Sequence, residues 1–241
     1  IFLVYDIIDL LLLLIGGEFM DFNDSDAIRT MDTNSVLTNT FFRMFLGLLA
    51  SAVTAIYTYY SGMYIDIVTS GAFYGLAIAE VVVVILFSLF FQKASPTVVT
   101  VMFFGYAFLN GFTLSVIFAA YELTSIGYAF AATAAMFGIL AFIGYKTDKD
   151  LSNWSTPLSV TLIVGLVLTV INLFIGNTVL DIVLDWVMLF LFFGLIVYDM
   201  NKIRAMHEAG FCDDEKLYVY GAMELYLDFI NVFLRILKFL G

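Results

Sequence analysis

The chain has 241 residues, of which 63% are hydrophobic and only 13% charged. A soluble domain keeps roughly a quarter of its residues charged, so there is too little charge here to cover a water-facing surface, and lipid is the remaining solvent. The formal charge of −11 excludes nucleic acid as a partner, while one cysteine and one histidine exclude an internal disulfide, a cysteine metal cage and a histidine cluster. Acidity in a membrane protein points instead towards cations.

Residues 1–19 open on an apolar run, Ile1 to Ile15, that is broken by Asp6 and Asp9 and is short for a span. Gly16-Gly17-Glu18-Phe19 ahead of Met20 reads as a linker and cloning scar, so the segment is expected to be an appended stretch, or else a short extra helix, outside the functional argument. Residues 20–38, acidic and rich in Ser, Thr and Asn, are expected to form a cytoplasmic lead-in.

A hydrocarbon core takes about twenty apolar residues per helix. Such stretches fall near 40–60, 72–91, 98–120, 125–145, 157–176, 180–200 and 217–240, which predicts an all-α seven-helix transmembrane domain over 39–241. Pro96 and Pro157 each stand where a span begins, where a missing N–H does no harm. The small residues of spans three and four (Gly105, Gly111, Ala131, Ala132, Ala134, Ala135 and Gly138) are expected to let helices approach closely. Arg29 and Arg43 precede or open the first span, and Lys93, Lys146, Lys149, Lys202, Arg204 and Lys216 fall in the loops on one side. The opposite loops, near 61–71, 121–124 and 176–180, hold neither Lys nor Arg, which predicts a cytoplasmic N-terminus and an outside C-terminus. Arg235 and Lys238 break that pattern, and the loop between spans six and seven is expected to run to roughly fifteen residues.

The last span carries the most informative pattern. Its non-apolar residues are Gly221, Glu224, Asp228, Asn231, Arg235 and Lys238, at steps of three and four that line one narrow helix face. A charge at the bilayer centre costs at least ~2.5–3.5 kcal/mol, so this face must turn to protein or water, and the helix is expected to sit centrally among the others. The bland alternative is a self-neutralising ladder of Glu224, Asp228 and Arg235 that only fixes helix register. In span six, Asp199 is the expected partner of Asp228, with Asp181 and Asp185 on nearly the same face. Asp228 lies about eleven residues, or ~16 Å, into its span, so the two meet only if helix six continues past Asp199 towards Arg204 or His207. Two carboxyl groups in hydrogen-bonding contact share a proton and titrate as one pair, and their oxygens also suit a hard cation such as Ca²⁺. Glu80 in span two, and Tyr106, Asn110 and Thr113 on one face of span three, are further polar groups within the expected bundle. Asn172 lies in span five. Arg43 is a partner for Glu80 only at matching depth.

Leu225-Tyr226-Leu227-Asp228-Phe229-Ile230-Asn231-Val232-Phe233-Leu234 closely resembles the C-terminal signature of the Bax inhibitor family of membrane proteins. Val197-Tyr198-Asp199 resembles that family's span-six motif, and Glu80 and Asp148-Lys149-Asp150-Leu151-Ser152 are similar to its bacterial members. The resemblance covers about 40–241. It implies a seven-span bundle with the last helix central, conducting Ca²⁺ as a pH-sensitive leak in a bacterial inner membrane without a tightly bound cofactor. In that picture Asp199 and Asp228 are the paired aspartates whose hydrogen bonding controls opening, with the pair as a candidate Ca²⁺ ligand. Glu80 is the family's span-two glutamate. From the spacing of the last span, Glu224, Asn231 and Arg235, with Glu80, are expected to line the ion path or the polar stripe. One departure stands out: a bacterial relative's arginine about eleven residues after the glutamate is replaced here by Phe91, so a latch built on it cannot be transferred.

Three other functions compete. An intramembrane aspartyl protease needs Gly-x-Gly-Asp where this chain has Leu225-Tyr226-Leu227-Asp228, so no enzymatic activity is expected. A Ca²⁺/H⁺ exchanger would use the same buried carboxylates, although no internal repeat or Gly/Pro-broken pair of spans is present. A non-conducting regulator of partner membrane proteins, such as a membrane protease, would use the aspartates to tune conformation. The expected partners are the lipid bilayer, calcium ions and protons.

Overall fold

The computed structural model describes residues 2–18 and 32–241. Phe19, Met20, Arg29 and the rest of the expected lead-in up to residue 31 lie outside the described residues. Among those described, the helices in chain order are α1 Phe2–Glu18, α2 Thr33–Tyr60, α3 Met63–Thr69, α4 Ala72–Phe90, α5 Pro96–Leu114, α6 Ile117–Ala120, α7 Leu123–Lys146, α8 Ser155–Ile175, α9 Thr178–Ala209 and α10 Asp214–Leu240. Seven of them, α2, α4, α5 with its continuation α6, α7, α8 with the turn before it, α9 and α10, are long and apolar enough to cross a bilayer.

Burial separates these seven into two kinds. In the first six, between 28 and 50% of the most apolar window is buried, whereas in α10 the share is 100%. The outward residues of α2 show why: Phe42, Phe45, Leu49, Val53, Ile56 and Tyr60 recur every three or four positions, all exposed. In water such a face would be an aggregation site; against acyl chains it is the expected surface. α10 packs against α1, α2, α5, α7 and α9, so no face of it is left for lipid.

Two boundaries differ from expectation. α2 begins at Thr33, inside the stretch read as a lead-in, because Thr33, Asn34 and Ser35 follow an extended Asp32 and simply enter the helix. More consequential is the end of α9. It continues to Ala209, leaving only residues 210–213 before α10 where a loop of roughly fifteen residues was expected. The charged residues from Lys202 to Glu208 kept helical spacing, and the helix stops at Gly210, whose φ of 67° is a left-handed conformation that other residues rarely adopt.

The small residues of spans three and four also divide. A Cβ at Gly111 would stand 2.7 Å from the Ser51 carbonyl oxygen, so α5 and α2 do meet there, but Gly105 and Gly138 have open space. Ala131, Ala132, Ala134 and Ala135 lie on the exposed face of α7, whose inward face is instead Ala129, Thr133, Phe137, Ala141 and Gly144. At Gly144 a Cβ would come within 2.5 Å of the Val197 carbonyl oxygen and 2.8 Å of Met200 Cβ on α9. Gly144→Ala should therefore cost about 1–3 kcal/mol and Gly138→Ala no more than about 0.5 kcal/mol, compared by thermal unfolding in detergent. Equal losses would contradict this packing.

Candidate functional site

α9 and α10 are antiparallel, and the short turn between them brings their charged residues together in sequence. His207 Nδ1 lies 3.0 Å from an Asp214 carboxylate oxygen. Further in, Lys202 Nζ donates to Glu224 Oε1 at 2.7 Å and to the Tyr220 hydroxyl at 2.9 Å, with both charged side chains only 3% exposed. One turn deeper the carboxyl groups of Asp199 and Asp228 stand within hydrogen-bonding reach of each other. At the far end Lys238 Nζ pairs with Asp181 at 2.8 Å and Asp185 at 2.5 Å. Three of these four rungs join an acid to a base. The fourth joins two acids.

The depth requirement is met because α9 runs ten residues past Asp199 while α10 places Asp228 fourteen residues beyond Asp214. Both aspartates are buried, and among the described residues no N–H or O–H donates to Asp199 Oδ1 or Asp228 Oδ2. A cavity of about 10 Å³ adjoins the pair, lined by Asp9, Leu12, Leu13, Leu195, Asp199, Glu224 and Asp228. That is space for about one water molecule. Among the described residues no group of three or more His, Cys, Asp or Glu side chains is arranged to hold a metal ion.

The stripe on α10 is not a self-neutralising ladder. Glu224 is neutralised from α9 by Lys202, and Arg235 is bound by Asp6 of α1 at 2.5 Å while its Nη1 donates to Asn231 Oδ1 at 2.8 Å. Asn231 Nδ2 donates to Asp9, also on α1. Arg235 additionally stacks over the Phe192 ring at 4.8 Å. Asp181 and Asp185, on nearly the same α9 face as Asp199, pair with Lys238 and account for a cation at that end of α10.

Glu80 belongs to a second buried cluster. Thr113 Oγ1 donates to Glu80 Oε1 at 2.6 Å, and Asn110 Nδ2 donates to the Tyr5 hydroxyl at 2.7 Å. The Tyr226 hydroxyl on α10 donates to Asn110 Oδ1 at 2.8 Å and lies 2.6 Å from Ser51 Oγ. Tyr106 touches the same group, with its hydroxyl 3.5 Å from Asn110 Nδ2. No hydrogen bond among the described residues joins Glu80 to the aspartate pair. Arg43 is not its partner, since the guanidinium stacks over Tyr218 at 5.3 Å. Asn172 makes no interhelical bond of this kind; it closes the α8–α9 turn by bonding both backbone groups of Asn177. Phe91 is buried under Lys216 Nζ at 5.3 Å, and that lysine donates to the Gln92 carbonyl.

Lys202, Tyr220, Tyr226, Ser51, Asp6 and Asp9 are the site residues the sequence did not flag. Lys202 had a signal: it lies three residues after Asp199, as Glu224 lies four before Asp228, which is matching spacing on antiparallel helices. Cys212, the chain's one cysteine, lies in the turn beside the ladder, and burial pushes its thiol up to about 12 from 9. At pH 8 its thiolate should be about a thousandfold scarcer than that of an ordinary thiol, so iodoacetamide should alkylate it on the order of 10²–10³ times more slowly than a free thiol. Ordinary reactivity would show that the turn is open.

Comparison with known proteins follows the same helices. The family profile described as inhibitor of apoptosis-promoting Bax1 matches residues 33–241. An inner membrane protein of Escherichia coli K12, YbhL, is 35% identical over 204 residues, covering 82% of this chain and 87% of the relative. An uncharacterized membrane protein of Streptococcus pyogenes serotype M3 is 38% identical over 171 residues, covering 70% and 74%. An uncharacterized protein of Deinococcus radiodurans is 34% identical over 165 residues, covering 68% and 71%. α1 lies outside the residues that the family profile matches.

Proposed function

This chain belongs to the Bax inhibitor family of integral membrane proteins, and from that premise we propose that it is a pH-sensitive calcium leak, gated by Asp199 and Asp228. The observation that carries this reading is the acid–acid rung in a ladder whose other rungs pair acid with base. A hydrogen bond between two carboxyl groups needs one proton, because two carboxylates have none to share. With that proton the rung ties α9 to α10. Without it, two negative charges face each other in a setting that screens them poorly, and the helices are driven apart. The freed oxygens then suit a hard cation, so H⁺ and Ca²⁺ compete for one place. The bilayer is the solvent, the termini take the orientation given by the Lys and Arg distribution, and no enzymatic step or resident cofactor enters this reading.

Passive conduction separates this proposal from its rivals. Purified protein in liposomes should pass Ca²⁺ down its gradient with no other protein present, and a protonophore that removes any pH difference should leave the flux within about twofold. Flux that stops under the protonophore would indicate Ca²⁺/H⁺ exchange. No flux above empty liposomes would leave a non-conducting regulator of other membrane proteins.

A further inference from the structure

α1 was expected to stand outside the working part of the molecule, yet it fills a place in the wall around α10. α5 packs on α4, α4 on α1, α1 on α8, and α8 on α9, and among the described residues α4 and α8 share no packing interface of comparable extent. α1 is therefore what closes the wall between them. Its inward face is Tyr5, Ile8, Asp9, Leu12 and Leu13 with Asp6 beside them, all buried, at the spacing of one helical face. The contacts run in reverse order along α10: Asp6 on Arg235, Asp9 on Asn231, and Leu12 and Leu13 at the cavity shared with Asp228 and Glu224. α1 thus lies antiparallel along the stripe and reaches the cavity beside the aspartate pair at Leu12 and Leu13. Its two carboxyl groups, the residues that interrupt an otherwise apolar run, meet the stripe's buried cation and its amide. A lipid-facing helix would gain nothing from acids at these two positions.

We propose that α1 is an occluding helix: seated between α4 and α8 it closes a lateral opening onto the Asp199–Asp228 pair, and withdrawn it exposes the pair from the membrane face. Its consequence for ion flux rests on the leak described above; its consequence for accessibility does not. The test places a single cysteine at the cavity by Leu195→Cys in a Cys212→Ser background, reconstituted in liposomes. The rate of modification by a small methanethiosulfonate reagent is then compared in the full chain, in a chain lacking residues 2–18, and in an Asp6→Ala/Asp9→Ala variant of the full chain. Modification should be at least about tenfold faster in the truncated chain and faster in the double variant, and a synthetic peptide of residues 2–18 added to the truncated chain should slow it again. Unchanged rates in the double variant, or in a truncated chain that still unfolds cooperatively, would overturn the proposal. If the truncated chain does not fold, the double variant decides alone. Faster modification with no change in Ca²⁺ flux would count against the leak and leave the occluding role of α1 standing.

Discussion

Replacing Lys202 by methionine should cost about 3–5 kcal/mol of stability, the largest single loss expected in the α9–α10 interface. The side chain fits an apolar pocket well enough, so the loss is electrostatic. Lys202 is the cation that faces Glu224, and Glu224 Oε2 already takes no hydrogen bond among the described residues. Without the ammonium group, Glu224 becomes an uncompensated buried charge beside two further carboxyl groups. Adding Glu224→Gln should recover most of the loss, because a buried ion pair and an uncharged pair of similar shape differ far less than a pair and half a pair. Denaturant titration of the three variants in detergent reads this directly. A loss under about 1 kcal/mol for the single variant, or no recovery in the double, would show that Glu224 is solvated and that the ladder is wet.

Asp228→Asn should remove the pH dependence of conduction while leaving the fold intact. The new amide donates to the Asp199 carboxylate, so α9 and α10 remain joined whatever the pH, and no proton has to be shared. The wild-type rung depends on that proton, and the ionised fraction of a titrating group changes by up to about tenfold per pH unit. A several-fold change in wild-type flux across about two pH units is therefore expected, against less than about twofold in the variant. Asp199→Asn should behave alike, since two carboxyl groups that share one proton titrate as one unit and either partner can carry the amide. A variant that keeps the wild-type profile would move the sensor elsewhere.

The helical architecture was legible in the sequence because lipid enforces one simple rule: about twenty apolar residues per crossing with every backbone group bonded internally. Much of the stripe on α10 was legible for the opposite reason, since its charges cannot face hydrocarbon. What was lost depended on partners. Lys202 was counted as a loop cation because a charge near the end of a span usually marks the interface, and only the continuation of α9 to Ala209 buries it. Gly138 and the alanines of α7 looked like a packing surface, but small residues are as compatible with lipid as with a neighbour, and composition does not say which face turns inward. Asp6 and Asp9 argued against a span when read alone. Beside Arg235 and Asn231 they are what seats α1, a complementarity that spans more than two hundred residues of sequence and has no local signature.

The central claim is that Asp199 and Asp228 gate a calcium leak through a shared proton. Ca²⁺ influx into liposomes holding the purified protein, measured between about pH 6 and pH 8 beside Asp228→Asn, tests it most directly. A wild-type flux that changes several-fold over that range, with a flat profile in the variant, is the predicted result. Parallel profiles in the two proteins, or no flux above empty liposomes at any pH, would contradict it.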